Sequence, residues 1–238
     1  MKKILTTILI CSFCFGFSQT NSQLFTHYDA FYKQMKHQGD VQGVINALTH
    51  MNVLQPNEAR KDTLAFFYSN SGQHVQAINL LGTENDPKAS DLAVEVKARS
   101  LKALNQPQLA VAQFDIMFGR KPDIYVAYDI VDLNLQIGKT VEAETYIRYG
   151  LEHATDKDVL PFYQSNPPYQ VPLKAAFTYQ KGLLEYNKDK ANIDQAISYI
   201  DQAIAIAPNF KLAMQIKELL LNQKAQGEAT PGAATEKK

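Results

Sequence analysis

Small residues recur along the chain at a fixed spacing, each followed by large apolar residues. The small anchors are Val44, Ala77, Ala110 and Ala143, each 33 residues beyond the last, with a fifth at Ala196 after a gap of 53. Four positions after them stand Leu48, Leu81, Phe114, Ile147 and Ile200; seven after stand Met51, Glu84, Met117, Gly150 and Ala203. Offsets of four and seven fall on one face of an α-helix, so each anchor predicts an amphipathic helix. Glu84 breaks the row, and Leu80-Leu81-Gly82 with the turn Thr83 to Pro87 predicts that the second of these helices is short. Thirteen positions before the first four anchors stand Phe31, Leu64, Lys97 and Ile130, with Tyr32, Ala65, Ala98 and Val131 next to them. These predict a preceding helix in every repeat, with Lys97 the one residue out of character.

The breaks agree with the hydrophobic pattern. Five before the anchors are Gly39, Gly72, Asn105 and Gly138, residue types that accept the left-handed conformation ending a helix. Twelve after them are Pro56, Pro122 and Pro208, which can open the next helix but not continue the last. Each repeat is therefore helix, tight turn, helix.

This pattern resembles the tetratricopeptide repeat, and the resemblance covers roughly Leu24 to Pro208. The last repeat is closest, with Gly182 in its first helix and Ala196, Ile200, Ala203 and Pro208 at family spacing, although Asn187 to Asn192 lengthens its turn by about two residues. The resemblance implies an all-α protein: an α-solenoid of about five helix-turn-helix repeats plus a C-terminal capping helix. Asn209 to Lys224 supplies the cap. Phe210, Ala213, Met214, Ile216, Leu219 and Leu220 form its core face, and Lys211, Gln215, Lys217 and Glu218 its wet one.

The gap of 53 places about twenty extra residues between Leu151 and Leu173. This insert, residues 152–172, holds Pro161, Pro167, Pro168 and Pro172 with Phe162, Tyr163 and Tyr169, the composition of an extended surface loop. Two readings stand: the aromatics plug a discontinuity in the stack, or they contact a partner.

The first residues change the picture of where the protein works. Met1-Lys2-Lys3 precedes an apolar run from Ile4 to Phe17, too short to span a bilayer, which needs roughly 20 apolar residues. Residues 1–18 are expected to be a signal peptide cleaved between Ser18 and Gln19, similar to those of Bacteroidetes secretory proteins. The expected destination is the periplasm or cell envelope, or beyond it the extracellular space. The repeat domain is expected over 19–225 and a disordered tail over 226–238, where Gly227 to Ala234 lacks packing residues. The two cysteines, Cys11 and Cys14, both lie in the leader, so a processed chain has no disulfide or thiol chemistry. Loss of Lys2 and Lys3 leaves 22 basic against 24 acidic residues, a formal charge near −2 with no basic block, which argues against nucleic acid as a partner.

Candidate chemistry is sparse. His27, His37, His50, His74 and His153 lie far apart without metal-ligand spacing, and no nucleophile elbow, phosphate loop or dinucleotide turn is present. The string Asn187 to Asn192 spaces oxygens by two but lacks a glycine bend, and Ser198 stands where a calcium loop needs Glu. No enzyme activity, cofactor or metal is expected. The resemblance implies instead that the first helix of each pair lines a concave groove. By offset, its free face carries Asp29, Lys33, Lys36, Asp62, Phe66, Asn70, Glu95, Arg99, Lys102, Tyr128, Asp132, Gln136 and Tyr179. Mixed charge, amides and aromatics suit an extended protein or peptide segment. Some family members clamp a C-terminal carboxylate with Lys and Asn, but Asp29 and Asp62 stand where that clamp would want a cation and an amide. The expected function is a non-catalytic envelope scaffold that binds a partner segment in the groove. The alternative is a structural subunit of an envelope complex, assembling through the solenoid edge or the insert.

Overall fold

The computed structural model describes residues 20–228, with side chains described to residue 226. The expected leader and most of the expected tail lie outside the described residues. The chain divides into two compact units, the first ending at Gly82 and the second beginning at Thr83. No described helix is long and apolar enough to cross a membrane.

The first unit holds two helix pairs: α1 (Asn21–Gln38) with α2 (Val41–Leu54), and α3 (Glu58–Asn70) with α4 (His74–Leu81). Short polar side chains start the first three of these helices by accepting from orphan backbone N–H groups. Thr20 and Gln23 form a reciprocal capping box, Asp40 accepts from the Gly43 N–H at 2.9 Å, and Asn57 from that of Arg60 at 2.9 Å. Met35, Val44, Ile45, Leu48 and Leu64 form the core, with Phe31, Tyr32, Phe67, Tyr68 and Leu80 packed against it.

The second unit holds three pairs and the cap. These are α5 (Asp91–Ala103) with α6 (Pro107–Arg120), α7 (Ile124–Gln136) with α8 (Thr140–His153), α9 (Leu173–Lys188) with α10 (Ile193–Ile206), and α11 (Lys211–Glu228). The repeat frame holds throughout the described chain. All five anchors are at most 2% exposed, and Gly39, Gly72, Asn105 and Gly138 have φ of 73°, 74°, 54° and 74°. The buried Lys97 is accommodated because its Nζ donates to the carbonyl of Glu84, in the loop entering α5. Pro56 and Pro122 stand outside their helices rather than at the first helical position. Each precedes the true N-cap, Asn57 or Asp123, whose side chain starts the helix.

Three expectations need correction. Met214 and Leu219, expected on the core face of the cap, are 37% and 61% exposed, because only the narrower stripe of Phe210, Ala213 and Leu220 is buried. The insert is not an irregular loop: β1 (Val159–Phe162) and β2 (Tyr169–Pro172) pair antiparallel, with Leu160 opposite Val171 and Phe162 opposite Tyr169. Pro161 is tolerated because a two-stranded sheet consists of edges alone. Residues 226–228, expected in the tail, continue α11, because nothing before Pro231 forbids helix.

α9 is the centre of the second unit, with nine of its residues buried from Leu173 to Leu184. Its neighbours are α8, α10, α7 and the hairpin. It approaches α10 closely at Gly182, where a Cβ would stand 2.9 Å from the Ala196 carbonyl oxygen.

Candidate protein-binding cleft

Two caps aim the walls of a cleft in the second unit. Ser90 accepts from the Ala93 N–H at 3.0 Å to start α5; Asp123 accepts from Tyr125 and Val126 at 2.8 and 3.1 Å to start α7. With those starts fixed, the 3.6-residue period turns Glu95, Arg99 and Lys102 of α5 and Tyr125, Tyr128 and Asp129 of α7 toward one space. The end of α6 adds Met117, Arg120 and Lys121, and the hairpin adds Leu160, Pro161, Phe162 and Tyr163. The cavity has a volume of about 950 Å³.

Its floor is apolar and its rim charged. Val94 and Phe114, each 1% exposed, line it together with Met117, Val126, Leu160 and the buried Phe162. On the rim, Arg99 pairs with Glu95 at 2.8 Å, Arg120 with Asp91 at 2.7 Å, and Lys102 with Asp129 at 2.6 Å and Asp132 at 3.6 Å. The Lys102 pairs tie α5 to α7. Burial holds the Asp132 carboxyl above the usual carboxylate range against the pull of Lys102, and burial with nearby Asp132 pushes the Tyr128 and Tyr179 phenols up. Both tyrosines are neutral hydrogen-bonding aromatics at any ordinary pH. Such a surface can hold an apolar body and fix it with polar groups.

Of the residues expected in the groove, Glu95, Arg99, Lys102 and Tyr128 line the cleft together with Phe162 and Tyr163 of the insert. Asp132 and Gln136 continue the same helix face, joined by a 3.2 Å hydrogen bond. Tyr179 is elsewhere: it is 5% exposed, with its ring 5.2 Å from that of Phe210. In the first unit, Asp29 and Lys33 pair at 2.6 Å, and Lys36 lies over the Tyr32 ring at 5.9 Å. There Phe66 packs edge-on to Phe67, Asn70 is exposed, and Asp62 is buried at 8% exposure. Tyr169 stacks on Phe162 at 5.7 Å and accepts from the Leu212 N–H at 3.2 Å.

Arg120, Lys121, Asp91, Tyr125, Asp129 and Leu160 also line the cleft and were not singled out from sequence. Tyr125 and Asp129 were within reach, since they share the helix face of Tyr128 and Asp132 at offsets of three and four. Arg120 and Lys121 end a second helix, which an assignment confined to first helices passes over.

The architecture is that of tetratricopeptide repeat proteins. A tetratricopeptide repeat protein from Parabacteroides merdae is 15% identical, with a TM-score of 0.61 over 87% of this chain and 77% of its own. YrrB, described as a TPR protein with an unusual peptide-binding site, is 16% identical, with a TM-score of 0.62 over 84% of this chain and 98% of its own. MamA is 16% identical, with a TM-score of 0.55 over 77% of this chain and 92% of its own. No protein-family model matches the chain, and no curated protein matches it in sequence.

Proposed function

We propose that this chain is a non-catalytic protein-interaction scaffold, exported to the cell envelope, that holds a segment of a partner protein in the cleft between α5, α7 and the hairpin. The observation carrying this reading is the cavity of about 950 Å³, where first-helix residues and the aromatic insert meet over an apolar floor. Repeat proteins of this architecture use the face of their first helices for contact, and YrrB is described as having a peptide-binding site. Export rests on Lys2, Lys3 and the apolar run that follows. The test is affinity capture from the envelope fraction with the processed chain and a copy carrying Arg99→Ala and Tyr125→Ala. A partner lost from the double variant alone supports the cleft; a partner held equally by both removes it.

A second reading has its own support. Val141 and Leu219 are 75% and 61% exposed, and neither lines the cleft. Each would gain by burial against another subunit, as assembly outside the cleft would provide. A partner retained by the cleft variant but released by Val141→Asp or Leu219→Asp would select this reading.

A further inference from the structure

At the last helix pair the groove is already filled. Tyr179, at the groove position of α9, lies against Phe210, which meets Phe162 of β1 at 4.9 Å. The hairpin is fixed there through β2 as well: Tyr169 accepts from the Leu212 N–H at 3.2 Å, and Asn209 Nδ2 donates to the Gln170 carbonyl at 3.0 Å. What stays open lies over α5 and α7 and ends at the wall Leu160 to Tyr163.

The chemistry of the open part is selective. Arg99, Lys102 and Arg120 each have a carboxylate within 2.8 Å, and the other two charges in the lining, Lys121 and Asp123, are of opposite sign, so the rim presents balanced charge rather than a field of either sign. A strongly charged ligand would gain little there, because whatever its sign it would meet as many like charges as opposite ones. The apolar surface left open is that of the half-buried Met117, Val126 and Leu160 and the ring of Tyr163, which is 78% exposed. An aromatic ring so placed offers large contact area at low conformational cost.

We propose that the occupant is a peptide segment of low net charge with one bulky apolar or aromatic side chain, seated against Leu160 and Tyr163, so that the hairpin selects the partner. This rests on the reading of the cleft as a protein-binding site.

The test is selection of displayed random peptides on the wild-type chain, followed by anisotropy measurements of the enriched peptides on wild type, Tyr163→Ala and Leu160→Ala. Enriched peptides should share an apolar or aromatic position, carry little net charge, and bind Tyr163→Ala about tenfold more weakly, a difference of about 1.4 kcal/mol. Tyr163 is exposed, so its removal leaves the fold intact, as circular dichroism would verify. Peptides that bind wild type and both variants equally overturn selection by the hairpin while the cleft reading survives. Enrichment of highly charged peptides lacking an apolar position does the same. Failure to enrich any peptide on wild type overturns both. A concentration-dependent dimer lost in Tyr163→Ala would make the occupant a second copy and overturn the proposal.

Discussion

Gly150 of α8 lies directly against the ring of Phe177 of α9, so closely that a Cβ at 150 would overlap three carbons of that ring. Phe177 is fully buried and cannot swing aside. Alanine favours a helix over glycine by about 1 kcal/mol, but overpacking a filled core costs about 1–3 kcal/mol. Gly150→Ala is expected to lower stability by about 1 kcal/mol or more, whereas Gly119→Ala in α6, with nothing within 4 Å, should raise it by up to about 1 kcal/mol. Urea unfolding of the two variants gives opposite shifts in midpoint. Phe177→Leu in the Gly150→Ala background should recover part of the loss, because the two residues share one space.

The turns inside the helix pairs make a second comparison. Asn105 carries a φ of 54° where the first, second and fourth repeats place glycine, while Gly138 stands at 74°. A left-handed residue with a Cβ costs about 1–2 kcal/mol. Gly138→Ala should therefore destabilise by about 1 kcal/mol, and Asn105→Gly should be neutral or stabilising by a few tenths. Thermal melts of the two variants check both signs.

These positions were readable from sequence because each depends on residues close to it in the chain. An anchor with its +4 neighbour defines a helix face, and a glycine five residues earlier defines a turn; both signals repeat every 33 residues. The hairpin was hidden by its own prolines, although Leu160 and Phe162 on one strand and Tyr169 and Val171 on the other alternate with period two. Tyr179 was placed on the right helix face, but an offset cannot say what covers that face. Its cover comes from Phe210, 31 residues downstream, and from a hairpin upstream. Lys97 looked like an error in the pattern because its carbonyl partner sits in a loop of no periodicity. The cleft itself was half legible: the first-helix residues follow the repeat, while Arg120 and the hairpin wall join them through tertiary packing alone.

Tyr169 connects the hairpin to the cap. Its hydroxyl accepts from the Leu212 N–H at the start of α11 and donates to Gln164, while its ring stacks on Phe162. Tyr169→Phe keeps the stack and removes both hydrogen bonds, leaving a helix-start N–H without its acceptor, a loss of about 1 kcal/mol. Amide exchange at Leu212 should accelerate by about fivefold to tenfold, while exchange within α5 and α7 stays as in wild type. If affinity for an enriched peptide falls with it, the hairpin acts on the cleft through its position as well as its surface.

Asp132 supplies a pH-dependent test of the rim. Its carboxyl is held above the ordinary value of 3.8, first by burial, with Lys102 pulling the other way. The side chain keeps 43% exposure, which limits the effect. Between the ordinary value and the raised one, the folded chain binds more protons at this site than the unfolded chain, so the contribution of Asp132 to stability falls as pH rises through that interval. Asp132→Asn removes the titration and leaves Lys102 its shorter partner, Asp129 at 2.6 Å. Relative to wild type, the variant should gain stability as pH rises above 3.8 and keep that gain at neutral pH, read from urea midpoints across the acid range. The opposite trend, wild type gaining on the variant with rising pH, would mean that the 3.6 Å pair with Lys102 outweighs burial. Asp132 would then belong to the ionic tie between α5 and α7 rather than to a strained edge of the cleft.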